Sequence, residues 1–183
     1  MRPDYPIKTD RLLLRPFEVT DLADVHAYRR LPELARYLYD EALTEAETAE
    51  KLAKWSAMDE LTEEGQSLAL AATLDGTVIG EIDIKWLSRD NRQGELGYIF
   101  NPAFHGRGYA REAAEQMLDL AFGQLHLHRV IAQCDPRNEP SWRLMERLGM
   151  RREAHHRQNE IFKGEWGDLF VYAVLEEEWR GTA

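Results

Sequence analysis

The stretch FHGRGYAREA, residues Phe104–Ala113, sets two glycines one residue apart and then breaks into a run that favours helix. A short glycine loop opening straight into a helix leaves several backbone N–H groups without intrahelical partners. The helix dipole adds positive potential at the same point. That combination holds anions, a pyrophosphate among them. Arg107 and Arg111 add charge, and Ala110, Ala113 and Ala114 are small enough to let the helix lie close to its neighbours. Two standard nucleotide motifs fail on the same residues. A dinucleotide fingerprint needs a third glycine where Arg111 stands, and the Gly-Lys-Ser/Thr of a P-loop does not occur. Taken alone, the stretch reads equally well as a tight turn or as an anion cradle.

The flanks extend the reading. GELGYIF (Gly94–Phe100) alternates Leu96, Tyr98 and Phe100 against Glu95, Gly97 and Ile99, the period of a strand. After the loop, Ala110, Ala113, Met117, Leu118 and Ala121 keep helical spacing over residues 109–122. Upstream, SLALAATL and TVIGEIDIKW flank Asp75-Gly76, a hairpin signal. On the second of these strands Val78, Gly80, Ile82, Ile84 and Trp86 are expected on one face. Ile79, Glu81, Asp83 and Lys85 are expected on the other. RLLLRPF (Arg11–Phe17) reads as the first strand, and Thr20 as the cap of a helix through Leu22, Val25 and Tyr28 that Pro32 interrupts. TEAE (Thr44–Glu47) has capping-box spacing and opens a helix expected to end near Gly65. RVIAQC is a further strand, NEPSWRLMERLGM a short helix stopped by Gly149, and MRREAHHR and WGDLFVYAVL are late strands. The order predicts one mixed α/β (α+β) domain over residues 1–183. Its central, largely antiparallel sheet has about seven strands flanked by about four helices.

Composition narrows the function. Lys and Arg total 23 against 33 Asp and Glu, a net charge of −10. Such a chain repels phosphate backbones, so no nucleic-acid partner is expected, and a cationic substrate is tolerated. The single cysteine, Cys134, forms no internal disulfide and reads as a packed thiol. No apolar run approaches the roughly 18–20 residues that cross a bilayer, and the N-terminus lacks a signal-peptide layout. A cytoplasmic protein without a membrane partner is expected. His126, His128, His155 and His156 lack metal-ligand spacing, so no metal is expected.

In combination, these segments resemble the GNAT superfamily of acyl-CoA N-acyltransferases. The family's phosphate loop, Gln/Arg-x-x-Gly-x-Gly/Ala, aligns with His105-Gly106-Arg107-Gly108-Tyr109-Ala110, with His105 departing at the first position. GELGYIF resembles the family's fourth strand. NEPSWRLMERLGM resembles its Asn-x-x-Ser…Leu-Gly-Phe helix, with Met150 for Phe. TDRLLLRPFEVTDL (Thr9–Leu22) resembles the opening of the branch that contains ribosomal-protein N-terminal acetyltransferases. The resemblance implies a GNAT fold, acetyl-CoA as co-substrate, and acetyl transfer to a primary amine. The acceptor is a protein or peptide N-terminus, or a small amine such as a polyamine or an antibiotic; a monomer or a homodimer is expected.

Such a transfer needs a base for the ammonium, a donor for the oxyanion and a donor for the departing thiolate. Glu95 is the candidate base, on the strand that leads into the loop. Glu81 and Asp83 share one face of the preceding strand and read either as cleft residues or as solvent-facing charge. The resemblance gives the pantetheine arm to the backbone of Tyr98, Ile99 and Phe100 and to Asn138. It gives the pyrophosphate to His105, Gly106, Arg107, Gly108, Tyr109, Ala110 and Arg111, and thiolate donation to Ser141. Many relatives carry a tyrosine where this chain has Met145, which cannot donate; Tyr98 and Tyr172 are further donors. That missing hydroxyl leaves an alternative open, a non-catalytic acyl-CoA-binding sensor or partner module.

Overall fold

The chain begins with two short strands, β1 (Ile7–Lys8) and β2 (Leu13–Arg15), in a computed structural model that describes residues 1–181. Three helices follow: α1 (Leu22–Arg29), α2 (Pro32–Ala35) and α3 (Glu45–Trp55). Next come β3 (Ser67–Leu74), β4 (Thr77–Ser88), β5 (Gln93–Phe100) and α4 (Tyr109–Gly123). The last elements are β6 (Arg129–Cys134), α5 (Glu139–Arg147), β7 (Arg151–Phe162), β8 (Glu165–Leu175) and α6 (Glu176–Arg180). The eight strands form one sheet in the order β1-β2-β3-β4-β5-β6-β8-β7. Every neighbouring pair is antiparallel except β5 and β6. The expected fold class holds, with β1 and the C-terminal α6 as the additions.

Local chemistry explains most boundaries. Asp75 and Gly76 both take positive φ, 50° and 84°, and close the β3–β4 hairpin. Thr44 and Glu47 form the capping box at the start of α3, the Thr44 amide donating to Glu47 Oε2 at 2.8 Å. That helix stops at Trp55, ten residues before Gly65, and the chain beyond it carries Leu61, fully buried, into the larger core. Gly149, at φ 77°, ends the α5 turn as expected.

The two faces of the sheet carry different cores. α4 and α5 lie on one, over Ile82, Ile84, Leu96, Phe100 and Tyr172. α1 and α3 cover part of the other, where Phe17, Val25, Tyr28 and Leu52 meet Ala71 and Val78. The bulge between Ala72 and Thr73 corrects the expected faces at the start of β4. Ala72 pairs with Gly80 and Thr73 with Val78, so Ile79 is skipped. Val78 therefore joins the α1/α3 core and Ile79 the α4 core, the reverse of strict alternation. From Gly80 onward the alternation is regular, and Glu81, Asp83 and Lys85 share the α1/α3 face. Among the described residues no helix is long and apolar enough to cross a membrane.

Candidate active site

The parallel pair β5/β6 is hydrogen-bonded over only three residue pairs, Gln93–Arg129, Gly94–Val130 and Glu95–Ile131. Beyond Glu95 the strands part. Leu96–Phe100 stay with β4, and Ala132–Cys134 stay with β8. The result is a wedge-shaped slot in the sheet, with Glu95 at its apex and strand edges facing each other across it. An extended amide chain can satisfy such edges, as an added strand would.

At the wide end of the slot, β5 runs into the glycine loop. Asn101 Oδ1 accepts from the Ala103 amide and starts a single 3-10 turn, Pro102–Phe104. Gly106 and Gly108 take φ of 75° and 84°, a region that L side chains rarely enter, and Gly108 caps α4. The first intrahelical bond runs from the Glu112 amide to Gly108 O, so the amides of Tyr109, Ala110 and Arg111 open the helix without intrahelical acceptors. His105 turns back on the chain. Its amide donates to Pro102 O, and its Nε2 donates to the Phe100 carbonyl at 2.8 Å. Arg111 pairs with Glu115, and Arg107 lies over the Phe104 ring.

Sequence reasoning missed the residue that ties this loop down. Arg11 Nη1 donates to Arg107 O at 2.9 Å, its Nε donates to Glu112 Oε2 at 2.7 Å, and its guanidinium stacks 4.5 Å over the Tyr109 ring. Thr9 Oγ1 donates to the same Glu112 carboxylate, which these contacts hold below the usual carboxylate range although its partial burial opposes them. The signal lay inside TDRLLLR, but nothing in its spacing points to a loop about a hundred residues away.

On the α1/α3 face, a cleft of about 260 Å³ opens beside Glu95, lined also by Tyr37, Tyr39, Gln133, Cys134, Asp135, Glu160, Phe162, Gly167, Asp168 and Leu169. The segment after α2 roofs it. Tyr37 Oη donates to Arg137 O at 3.1 Å, Tyr39 Oη to Glu160 Oε1 at 2.8 Å, and Lys163 Nζ to the carbonyls of Ala35 and Asp40. Four carboxylates line the cleft, and two are neutralised within the chain: Asp135 by Arg137, and Asp168 by His155 when its ring is protonated. Among the described residues Glu160 accepts from Tyr39 alone, and Glu95 from Gln133 Nε2 alone, at 3.2 Å. Burial raises the Glu95 carboxyl, while Lys85 across the strand pair and the Gln133 bond pull it back.

On the opposite face, α5 presents Ser141 beneath the slot. Tyr98 Oη donates to Ser141 O at 3.0 Å and lies 3.1 Å from Ser141 Oγ. Ser141 also lies near the Cys134 thiol, which burial pushes up to about 11 against the pull of the serine hydroxyl. One serine thus joins the two arms of the slot, Tyr98 of β5 and Cys134 of β6. With the Tyr98 proton on the Ser141 carbonyl, the contact between the two hydroxyls has Ser141 Oγ–H donating to Tyr98 Oη, and the serine must turn that proton away from Tyr98 to donate into the slot. Asn138 stands at the N-cap of α5 but makes no cap bond with its side chain. Met145 is buried, and Tyr172 donates to Glu146, so neither supplies a hydroxyl to the slot. Among the described residues no group of three or more His, Cys, Asp or Glu is placed to hold a metal ion.

The comparisons agree with this geometry. Residues 11–151 match the family model described as an acetyltransferase (GNAT) domain. The uncharacterised N-acetyltransferase YnaD of Bacillus subtilis is 34% identical over 173 residues, 94% of this chain and 98% of its own. A GNAT-family acetyltransferase from Bacillus anthracis superposes with a TM-score of 0.83 at 34% identity, covering 93% of this chain and 98% of its own. The spermidine N(1)-acetyltransferase of Escherichia coli is 22% identical over 91% of this chain and 87% of its own. A split sheet, a glycine loop at its mouth and these matches make the chain a member of the GNAT family, an acetyl-CoA-dependent N-acetyltransferase.

Proposed function

We propose that the chain acts as a single domain over residues 1–183 and acetylates a small, positively charged primary amine that enters the cleft beside Glu95. One observation carries the choice of acceptor: Glu95 and Glu160 line that cleft, and among the described residues neither is bonded to a cation. The similarity to a spermidine acetyltransferase supports the same class of acceptor. A peptide N-terminus also brings an ammonium and is the second candidate.

The slot fits acetyl-CoA. The open backbone edge of Tyr98, Ile99 and Phe100 and the uncommitted Asn138 amide suit the two amides of a pantetheine arm. The loop amides from Gly106 to Arg111 suit its pyrophosphate, with Arg107 adding charge. His105 acts here by holding the loop to Phe100 rather than by reaching out. The co-substrate supplies an activated acyl group as a thioester. From one face of the split, Glu95 binds the ammonium and helps remove its proton. From the other, Ser141 Oγ–H donates to the departing sulfur, with Tyr98 holding it in place. This reading places the enzyme in the cytoplasm with its co-substrate, as a monomer or homodimer, and needs no membrane or nucleic-acid partner.

The test is thiol release from acetyl-CoA over a panel of polyamines, aminoglycosides and N-terminal peptides. Cationic small amines are expected to be the best acceptors. Glu95→Gln should raise the amine KM, and Ser141→Ala should lower kcat while acetyl-CoA binding by calorimetry is retained. Release with no amine of the panel would refute the reading.

A further inference from the structure

Asp83 has no part in the chemistry so far, yet its setting is unusual. It projects from β4 on the same sheet face as Glu95, directly opposite Gly97 and one diagonal step from Glu95. Diagonal neighbours on a sheet lie roughly 7–8 Å apart at their Cα atoms, within reach of each other's charge. A Cβ added to Gly97 would stand 2.4 Å from Asp83 Oδ1, so the carboxylate lies flat over the glycine, in room that only glycine leaves. Asp83 is half-buried, and its side chain has no hydrogen bond or ion pair among the described residues. Its charged surroundings are few. Glu95 faces it from β5, Lys85 from its own strand and Arg29 from α1, and Arg29 is already paired with Glu81. Lys51 and Asp40 reach the neighbouring Glu81.

The Asp83 oxygens are not among the buried atoms left without a partner, so the carboxylate meets water on one side and the sheet on the other. Here it stands just behind the carboxylate that meets the substrate's ammonium. We propose that Asp83 is the terminal proton acceptor of the reaction, receiving through one water beside Glu95 the proton that the substrate ammonium gives up. This rests on the reading that Glu95 meets the amine. The two acids divide the work. Burial raises the Glu95 carboxyl, Lys85 and Gln133 oppose that rise, and the arriving ammonium supplies the counter-charge that Glu95 holds. Burial, and then the charge of Glu95, push the Asp83 carboxyl up to about 6, which lets it hold a proton near neutral pH.

The step balances. The ammonium N–H bond breaks, and the proton moves to the Asp83 carboxylate. The freed nitrogen lone pair forms the C–N bond, the C–S bond breaks, and its electron pair leaves with sulfur. The amine's second proton ends on that sulfur, so the products are an amide and a thiol, and the Asp83 proton returns to water.

The experiment measures kcat/KM for the best cationic amine from pH 5 to 9, with calorimetry for acetyl-CoA and a melting curve for each variant. The wild-type profile should fall on the acid side with a midpoint near 6. Asp83→Asn should lose that limb and lower kcat by about 100-fold or more, with the amine KM and acetyl-CoA affinity nearly unchanged. Glu95→Gln should instead raise the amine KM and keep the limb, moved to lower pH because the Glu95 charge no longer pushes Asp83 up. A wild-type-like profile in Asp83→Asn would overturn the proposal, and so would loss of the limb in Glu95→Gln alone. Gly97→Ala guards against a misfolded Asp83 variant. Its methyl displaces the carboxylate without removing it, so the limb should move to lower pH, and an unmoved limb overturns the proposal. If the wild type turns over no amine at all, the acetylation reading itself fails, a result distinct from an unchanged profile in an active enzyme.

Discussion

Glu81 and Asp83 stand two residues apart on β4 and face the same way, yet they live in different places. The Glu81 end of the face is closed over by α1, and Arg29 Nη2 sits 2.7 Å from its carboxylate. The Asp83 end runs out towards the slot, where the nearest strand offers only a glycine and another acid. Burial pushes both carboxyls up; at Glu81 the guanidinium pulls back without cancelling it, leaving the carboxyl at about 7. The contact is not well aligned, and Glu81 Oε1 and Arg29 Nε find no hydrogen-bond partner. What separates a structural acid from a reactive one here is whether the fold supplies the counter-charge or leaves that to the substrate.

The comparison can be broken first at its closed end. Arg29→Ala leaves Glu81 buried without its cation and should cost about 3–5 kcal/mol of stability, read by chemical denaturation. A loss under about 1 kcal/mol would mean that the pair is no more than a surface contact.

At the open end the sign reverses. Asp83 is raised in the folded chain from 3.8 to about 6, so the fold holds its proton more tightly than the unfolded chain does. That preference is fully present below about pH 4 and is lost as pH rises through 6. Asp83→Asn should therefore match wild type near pH 4 and be more stable above pH 6, by on the order of 2–3 kcal/mol. Equal melting temperatures at pH 7.5 would show that the Asp83 charge is not confined as described.

The smallest effect belongs to Lys85, an exposed cation that faces Glu95 and eases both acids. Lys85→Ala should shift the acid limb of the rate profile upward by a few tenths of a pH unit, and salt should shrink the difference. A larger shift would make Lys85 part of the site rather than its background.

Much of this was legible beforehand. The hairpin at Asp75-Gly76, the strand GELGYIF, the glycine loop and the α5 helix each carry a local signal, in turn residues, alternation or a cap, and each forms where that signal lies. The bulge that skips Ile79 carried none, because a bulge is set by what the paired strand must bury. The parting of β5 from β6 was equally hidden, since register between strands separated by a helix leaves no mark on either. The same holds for Arg11, whose partners at Arg107 and Glu112 come from the far side of the sequence. For Asp83 the alternation gave the face but not the surroundings; only pairing with Gly97 shows that the carboxylate is cornered.

The slot also works as a ruler. Its apex at Glu95 and its mouth at Phe100 are five residues apart on one extended strand, about 17 Å at roughly 3.3 Å per residue. A rigid strand cannot stretch, so a donor whose charged end rests on the loop must carry its acyl group on an arm of that length. Selection among acyl donors by carrier length therefore follows from the number of residues in β5, before any contact with the acyl group is made.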